Sequence, residues 1–132
     1  MPESALHYRM VMSIRNWIIE KYEKLFIWID LPSCEESSIP LRIEGFIPDV
    51  YAKILSNSKE IIGEAKTARD LDSRHTEEQL CAFLRYCSNN DNTFFILAVP
   101  WDFTRNAKSL IEYLKIKCHA RSANTIILEK LG

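Results

Sequence analysis

The segment from residue 47 to residue 67, IPDVYAKILSNSKEIIGEAKT, contains two apolar runs separated by a polar stretch. The apolar runs are rich in β-branched and aromatic residues, which favour strands, and the stretch SNSK at 56–59 has the composition of a turn. These residues predict a β-hairpin. Asp49 lies in the first arm and Glu64 near the end of the second, fifteen residues later, so the hairpin brings the two carboxylates together. Pro48 is expected to break or bulge the first strand and to redirect Asp49.

Apolar periodicity predicts the elements around this hairpin. Helical spacing predicts a first helix over 4–22 with Ser4 as its cap, and the run TFFILAV at 93–99 predicts a strand buried on both faces. The sequence TEEQ at 76–79 resembles a capping box that begins the second helix, and Thr104 is expected to cap the third. The remaining strands are expected at 25–31, 41–55, 60–65 and 125–128. The order αβββαβαβ predicts an α/β fold, a three-layer sandwich with a central mixed β-sheet.

Length and composition predict a globular protein with one domain, residues 1–132. With 3 glycines, the chain has no Gly-rich phosphate loop. No apolar run approaches the ~20 residues of a membrane span, and the N-terminus lacks a signal pattern, so we expect a cytoplasmic protein without membrane contact. A net charge of -1 argues mildly against a strong nucleic-acid binder, but a local basic face is sufficient for binding.

The cysteine pattern points to neither zinc binding nor disulfides. The four cysteines are Cys34, Cys81, Cys87 and Cys118. None forms a Cys-x-x-Cys pair, and their spacing relative to histidine does not suit zinc. We therefore expect small hydrophobic side chains in a reducing compartment.

The hairpin residues form a constellation suited to metal-assisted hydrolysis. Successive strand residues alternate between faces, so Glu64 and Lys66 share a face, with Asp49 across the hairpin. Two carboxylates about 5 Å apart repel each other unless a cation lies between them. Mg²⁺ prefers such hard oxygen ligands, and the backbone carbonyl of Ala65 could complete the set. Lys66 could then orient the attacking water in phosphodiester hydrolysis.

Pro48-Asp49 followed by Glu64-Ala65-Lys66 resembles the motif of the PD-(D/E)XK nuclease superfamily. The αβββαβ order over about residues 3–100 also resembles that superfamily's restriction-endonuclease-like core, to which a C-terminal helix and strand are added. The resemblance implies that Asp49 and Glu64 bind the metal and that Lys66 acts at the attacking water.

The RecB-type branch of the superfamily is the nearest in motif. Gln79 and Phe83 in QLCAF resemble its Gln-aromatic pair, although Phe83 lacks the usual tyrosine hydroxyl, and Thr67 also matches that branch. The resemblance implies a catalytic role for Gln79. Family members often add an acid from the first helix, for which Glu3 is the candidate metal ligand and Glu44 a rival.

Several of these residues have adequate structural explanations. A capping box accounts for Gln79, and an acid near a helix N-terminus complements the helix dipole, which accounts for Glu3. Histidines are more often structural or surface residues than ligands, although His75 could touch phosphate. Basic side chains after the motif could contact the nucleic-acid backbone or be ordinary surface charges. These are Arg69, Arg74 and Arg105.

Three functions remain open from the sequence. The first is a Mg²⁺-dependent nuclease acting on DNA, with Mn²⁺ as a substitute metal and RNA not excluded as substrate. The second is a non-catalytic nucleic-acid-binding or assembly module that retains the nuclease fold. In either case a homodimer or a partner protein could supply additional grip on DNA. The third is a metal-dependent enzyme on a small phosphorylated substrate, which the lack of a phosphate loop disfavours.

Overall fold

The elements of the chain follow the order αβββαβαβ in a computed structural model that describes residues 5–31 and 41–130. The helices are α1 (Ala5–Lys21), α2 (Arg74–Asn89) and α3 (Thr104–Lys117), and the strands are β1 (Leu25–Ile29), β2 (Val50–Ile54), β3 (Glu60–Ala65), β4 (Thr93–Pro100) and β5 (Asn124–Lys130). Short 3-10 helices, Ala68–Asp70 and Trp101–Phe103, follow β3 and β4. None of the helices in the described ranges is long and apolar enough to span a membrane.

The five strands form one mixed sheet in the order β1-β2-β3-β4-β5. The pairs β1/β2 and β2/β3 are antiparallel, while β3/β4 and β4/β5 are parallel. Helix α2 connects β3 to β4, and α3 connects β4 to β5, as parallel strands require a crossover. The predicted α/β fold with a mixed sheet is confirmed. The predicted hairpin is also confirmed, and its register pairs Val50 with Gly63.

Helices cover both faces of the sheet. Helix α1 packs with Val50, Ile61 and Ile96 on one face, and α2 and α3 pack with Ile62 and Phe95 on the other. Strand β4 is buried from Thr93 to Val99, as its apolar run predicts. Helix α1 approaches β3 so closely that a Cβ atom on Gly63 would lie 2.7 Å from Cγ2 of Ile14. The buried faces thereby hold α1, β2 and β3 in fixed relative positions.

The expected strand over 41–55 is wrong for its first half. Residues 41–49 form an irregular segment in which Ile43 and Phe46 make an isolated bridge. Glu44 and Gly45 lie between them with positive φ angles of 50° and 88°, so the chain reverses there. Pro48 therefore precedes β2 and does not bulge a strand.

Helix α2 begins before the expected capping box. Ser73 is the N-cap, and its hydroxyl accepts a hydrogen bond from the backbone N–H of Thr76 at 3.0 Å. Thr76 therefore lies within the first turn, and Gln79 lies too far along the helix to satisfy its N-terminus. The structural explanation for Gln79 as part of a capping box is wrong.

The expectation that the cysteines remain reduced is also wrong for two of them. Cys81 of α2 and Cys118, directly after α3, form a disulfide across a sequence separation of 37. Cys87 is a free, buried thiol, in keeping with the expected hydrophobic role. Burial, together with the charge of Glu60, raises the pKa of Cys87 to about 12. Cys34 lies outside the described residues.

Candidate functional site

Asp49 and Glu64 are held against each other by reciprocal hydrogen bonds across the β2–β3 hairpin. The backbone N–H of Asp49 donates to Oε1 of Glu64 at 3.0 Å. The backbone N–H of Ala65 donates to Oδ2 of Asp49 at 2.9 Å. Each carboxylate thus binds the backbone of the opposite arm, and both side chains have fixed positions at the end of the hairpin. The hairpin places these two predicted site residues together.

Lys66 lies in the same cluster. Its Nζ atom is 3.4 Å from Oε2 of Glu64 and donates a hydrogen bond to Oε1 of Gln79 at 2.5 Å. Its backbone N–H donates to the carbonyl of Ala98, which extends the pairing of β3 with β4 beyond the strand end. Glu64 is 3% exposed and Lys66 9% exposed, so the ammonium is positioned by buried partners. Helix α2 supplies Gln79 from the first half of its length.

His7 is a site neighbour that sequence reasoning classed as structural or surface. Its Nε2 atom lies 3.1 Å from Oδ2 of Asp49, so the start of α1 also contributes to the cluster. One signal could have identified it. His7 follows the candidate acid Glu3 by four residues, the spacing that places two residues on one helical face. Glu3 itself lies outside the described residues.

The electrostatics of the cluster disfavour a fully ionised state. Burial raises the pKa of Glu64 well above its usual value, and the neighbouring charge of Asp49 raises it further. The ammonium of Lys66 acts in the opposite direction but does not cancel these effects. A cation between the two carboxylates would relieve both the burial cost and their repulsion.

The donor set of the cluster fits Mg²⁺. This ion is commonly bound by one or two carboxylates, with water and substrate phosphate as the other ligands. Asp49 keeps Oδ1 outside the hydrogen bonds among the described residues, and the carbonyl of Ala65 is adjacent. In the described ranges, no three or more His, Cys, Asp or Glu side chains are arranged to hold a metal.

The other acidic and histidine candidates lie in different surroundings. Glu44 forms an ion pair with Arg85 of α2 at 2.5 Å. This hydrogen-bonded pairing lowers the pKa of Glu44. His75 is exposed and makes an edge contact with the ring of Phe46. Neither residue is shown in contact with Asp49 or Glu64, and both are explained by their own partners.

The candidate basic contacts lie near the carboxyl ends of the parallel strands. Arg69 is exposed on the 3-10 helix that begins two residues after Lys66. Arg105 lies in the first turn of α3 and lines a cleft of about 440 Å³ between the two 3-10 segments. Arg74 opens α2 and is 94% exposed, 3.9 Å from Glu78. Arg69 and Arg105 therefore follow adjacent strands, β3 and β4, at the end of the sheet where the cluster lies.

No family model, curated protein or solved structure matches the chain. The resemblance to PD-(D/E)XK nucleases therefore remains a prediction from the motif and from the order of the elements.

Proposed function

We propose that this protein is a Mg²⁺-dependent nuclease that hydrolyses phosphodiester bonds of DNA. The observation that carries the proposal is the buried contact of Glu64 with both Asp49 and Lys66 at the end of the β2–β3 hairpin. This cluster contains two carboxylates, which can bind a hard cation, and an ammonium, which can contact an anionic substrate. RNA is an alternative substrate with the same phosphodiester chemistry.

A purely structural role does not account for this cluster. Burying ionic groups is costly, and packed apolar residues of similar volume often give equal or greater stability. A second carboxylate beside Glu64 makes the burial less favourable still, as the direction of the Glu64 pKa shows. Buried groups with perturbed pKa values are typical of functional sites, where the arrangement serves the reaction at a cost in stability.

The residues divide into metal-binding and positioning groups. Asp49, Glu64 and the carbonyl of Ala65 would hold Mg²⁺, and Mn²⁺ could replace it. When bound, the ion would lower the pKa of a coordinated water and offset charge on the phosphate. An ammonium has three N–H donors, and the described contacts of Lys66 use two of them. The third is available to orient the attacking water or to contact the scissile phosphate, while Gln79 fixes the direction of the side chain.

Removal of the ammonium is the sharpest test. We expect Lys66→Ala to lower the rate of Mg²⁺-dependent DNA cleavage by roughly 10²- to 10⁴-fold, the usual contribution of a positioned proton-transfer or charge-stabilising group. Asp49→Ala is expected to abolish the same activity. Lys108→Ala removes an exposed lysine of α3 and is the matched control, which should cleave at the wild-type rate.

Circular dichroism establishes that each variant is folded before cleavage is compared. A panel of single-stranded, double-stranded, nicked and branched substrates with Mg²⁺ or Mn²⁺ defines the activity. Wild-type cleavage that persists in EDTA, or full activity of Lys66→Ala, would contradict the mechanism.

A second candidate function is a nucleic-acid-binding or assembly module that has the same fold without turnover. The observation that favours it is the modest ligand set, since the described part of the chain contains no group of three metal-ligating side chains. Calorimetric titration with Mg²⁺ and Mn²⁺ separates the two functions. Metal binding that is lost in Asp49→Ala supports the nuclease, and no binding by the folded wild type supports the module.

A further inference from the structure

Strand β1 is an edge strand whose outward backbone groups can be identified. Among the described residues, β1 pairs only with β2. The N–H of Asp30 donates to the carbonyl of Asp49, and the N–H of Leu55 donates to the carbonyl of Lys24. Along an antiparallel strand, successive residues direct their backbone N–H and C=O groups to opposite sides. Even-numbered residues of β1 therefore bond to β2, and odd-numbered ones direct these groups away from β2. Leu25, Ile27 and Ile29 therefore present their backbone groups to the open edge.

The side chains of β1 make this edge unusually suited to pairing. The strand LFIWI contains no charged residue and no proline, the residue types that commonly protect an exposed edge. Phe26 is 56% exposed, although it lies in a row of rings with Trp28 and Tyr51 at centroid separations of 5.9 and 5.6 Å. Among the described residues, the row ends at Phe26.

The residues that flank β1 make the strand complementary to itself. The sequence from 24 to 30 reads KLFIWID, with a cation at one end and an anion at the other. When two copies pair antiparallel about Ile27, Lys24 of each copy lies opposite Asp30 of the other, and Phe26 lies opposite Trp28. Leu25 then faces Ile29, and each of these outward-directed pairs can exchange two backbone hydrogen bonds.

We infer that β1 is the interface of a homodimer in which two copies of the chain pair antiparallel about Ile27 and form one continuous sheet. The two-fold axis passes through the strand pair, so the contact is closed and does not continue to further copies. Phe26 and Trp28 face each other in the positions where antiparallel side chains approach most closely, which extends the ring row across the interface. The pairing of Lys24 with Asp30 at both ends favours this register over registers in which one strand is shifted along the other. Asp30 has an additional interaction within its own chain, so its contribution is tested directly by charge reversal.

The mass in solution tests the interface. Light scattering after size-exclusion chromatography is expected to give twice the chain mass of 15.4 kDa for the wild type and the single-chain mass for Phe26→Lys. Ile116→Lys is the matched control, because Ile116 on α3 is 57% exposed and lies outside β1, so this variant should remain dimeric. A monomeric wild type at every soluble concentration, or a folded Phe26→Lys variant that stays dimeric, overturns the inference.

Charge exchange tests the register. Lys24→Asp alone, or Asp30→Lys alone, places like charges opposite each other at both ends and should weaken association by roughly tenfold. An equimolar mixture of the two variants restores both pairs and should associate as tightly as the wild type. Because Lys24 is exposed, Lys24→Asp should fold, and it tests the interface even if Phe26→Lys unfolds. A mixture that associates no better than either variant alone overturns the inference.

Discussion

Glu60 and Glu64 lie on the same strand, and their carboxyl groups experience opposite conditions. Burial alone would raise the pKa of Glu60, but hydrogen bonds from Tyr51, Tyr86 and Thr93 lower it below its usual value. At the other end of β3, burial and a neighbouring carboxylate raise the pKa of Glu64. Glu60 therefore has surroundings that favour its charged form, whereas the surroundings of Glu64 disfavour its charged form.

These opposite shifts predict opposite pH dependences of the metal-free protein. A raised pKa in the folded state gives stability that is complete below the unfolded value of about 4.3 and is lost as the pH rises through the folded value. Glu64→Gln should remove this loss and raise the free energy of unfolding at pH 7 relative to the wild type. Urea denaturation in EDTA between pH 3 and 8 measures the free energy of unfolding of the wild type and of the variant.

Glu60→Gln is the matched comparison on the same strand. The lowered pKa of Glu60 gives stability that is present above the unfolded value and is lost as the pH falls through the folded value. This variant should therefore be less stable than the wild type at pH 7, with a smaller loss of stability in acid. A Glu64→Gln variant that is also destabilised at pH 7 without metal would show that Glu64 is an ordinary buried partner of Lys66.

At the scale of elements, α2 connects the site to the rest of the molecule. It supplies Gln79 to Lys66, and two residues later Cys81 joins it to the end of α3. A disulfide stabilises mainly by restricting the unfolded chain, and the 37-residue separation corresponds to roughly 2–4 kcal/mol. The position of Gln79 therefore depends on packing and on this covalent link.

Reduction of the disulfide should destabilise the protein measurably. We expect a reductant such as dithiothreitol to lower the free energy of unfolding of the wild type by roughly 2–4 kcal/mol. Cys118→Ser should show the lower stability with or without reductant, whereas Cys87→Ala should retain the response because Cys87 is a free thiol. Equal denaturant midpoints of the wild type with and without reductant would contradict the prediction.

The elements that could be predicted from sequence are those with strong local signals. The hairpin over β2 and β3 and the buried β4 were predictable because strand-forming runs are bounded by turn residues. Residues 41–49 were not, because the reversal at Glu44 and Gly45 depends on positive φ angles at a non-glycine residue. The cap of α2 was expected at Thr76, but the helix begins earlier and its N-cap is Ser73.

The residues of the candidate site also divide into those that could be predicted from sequence and those that could not. Alternation along one strand and the length of the hairpin were enough to bring Asp49, Glu64 and Lys66 together. His7 reaches Asp49 only because α1 packs across the sheet, and the Cys81–Cys118 bond depends on the relative position of two helices. Such long-range contacts are fixed by packing, and the four-residue spacing of Glu3 and His7 was a hint without a stated partner for His7.

In the whole molecule, the proposed dimer interface and the candidate site are neighbours at the end of β1. The N–H of Asp30 donates to the carbonyl of Asp49, so the proposed dimer interface ends beside the candidate site. In the dimer, Lys24 of the partner subunit would lie close to Asp30 and would add positive charge near each site. Six strand residues separate the two Asp30 positions, which places them roughly 20 Å apart along the strands, and each site lies farther from the interface. Dimerisation would therefore add a further cation near each site.

Affinity for DNA should depend on a few local cations, because the net charge of -1 provides no general attraction. Arg69 and Arg105 lie on adjacent segments at the site end of the sheet, whereas Arg85 is paired with Glu44. Arg69→Ala and Arg105→Ala should each weaken binding to all duplex sequences equally and reduce the slope of log K against log salt by about 1. Arg85→Ala should leave the slope unchanged, since its charge is already neutralised. Fluorescence anisotropy in EDTA measures binding without cleavage, and an equal loss of slope in all three variants would mean that the cleft does not bind the backbone.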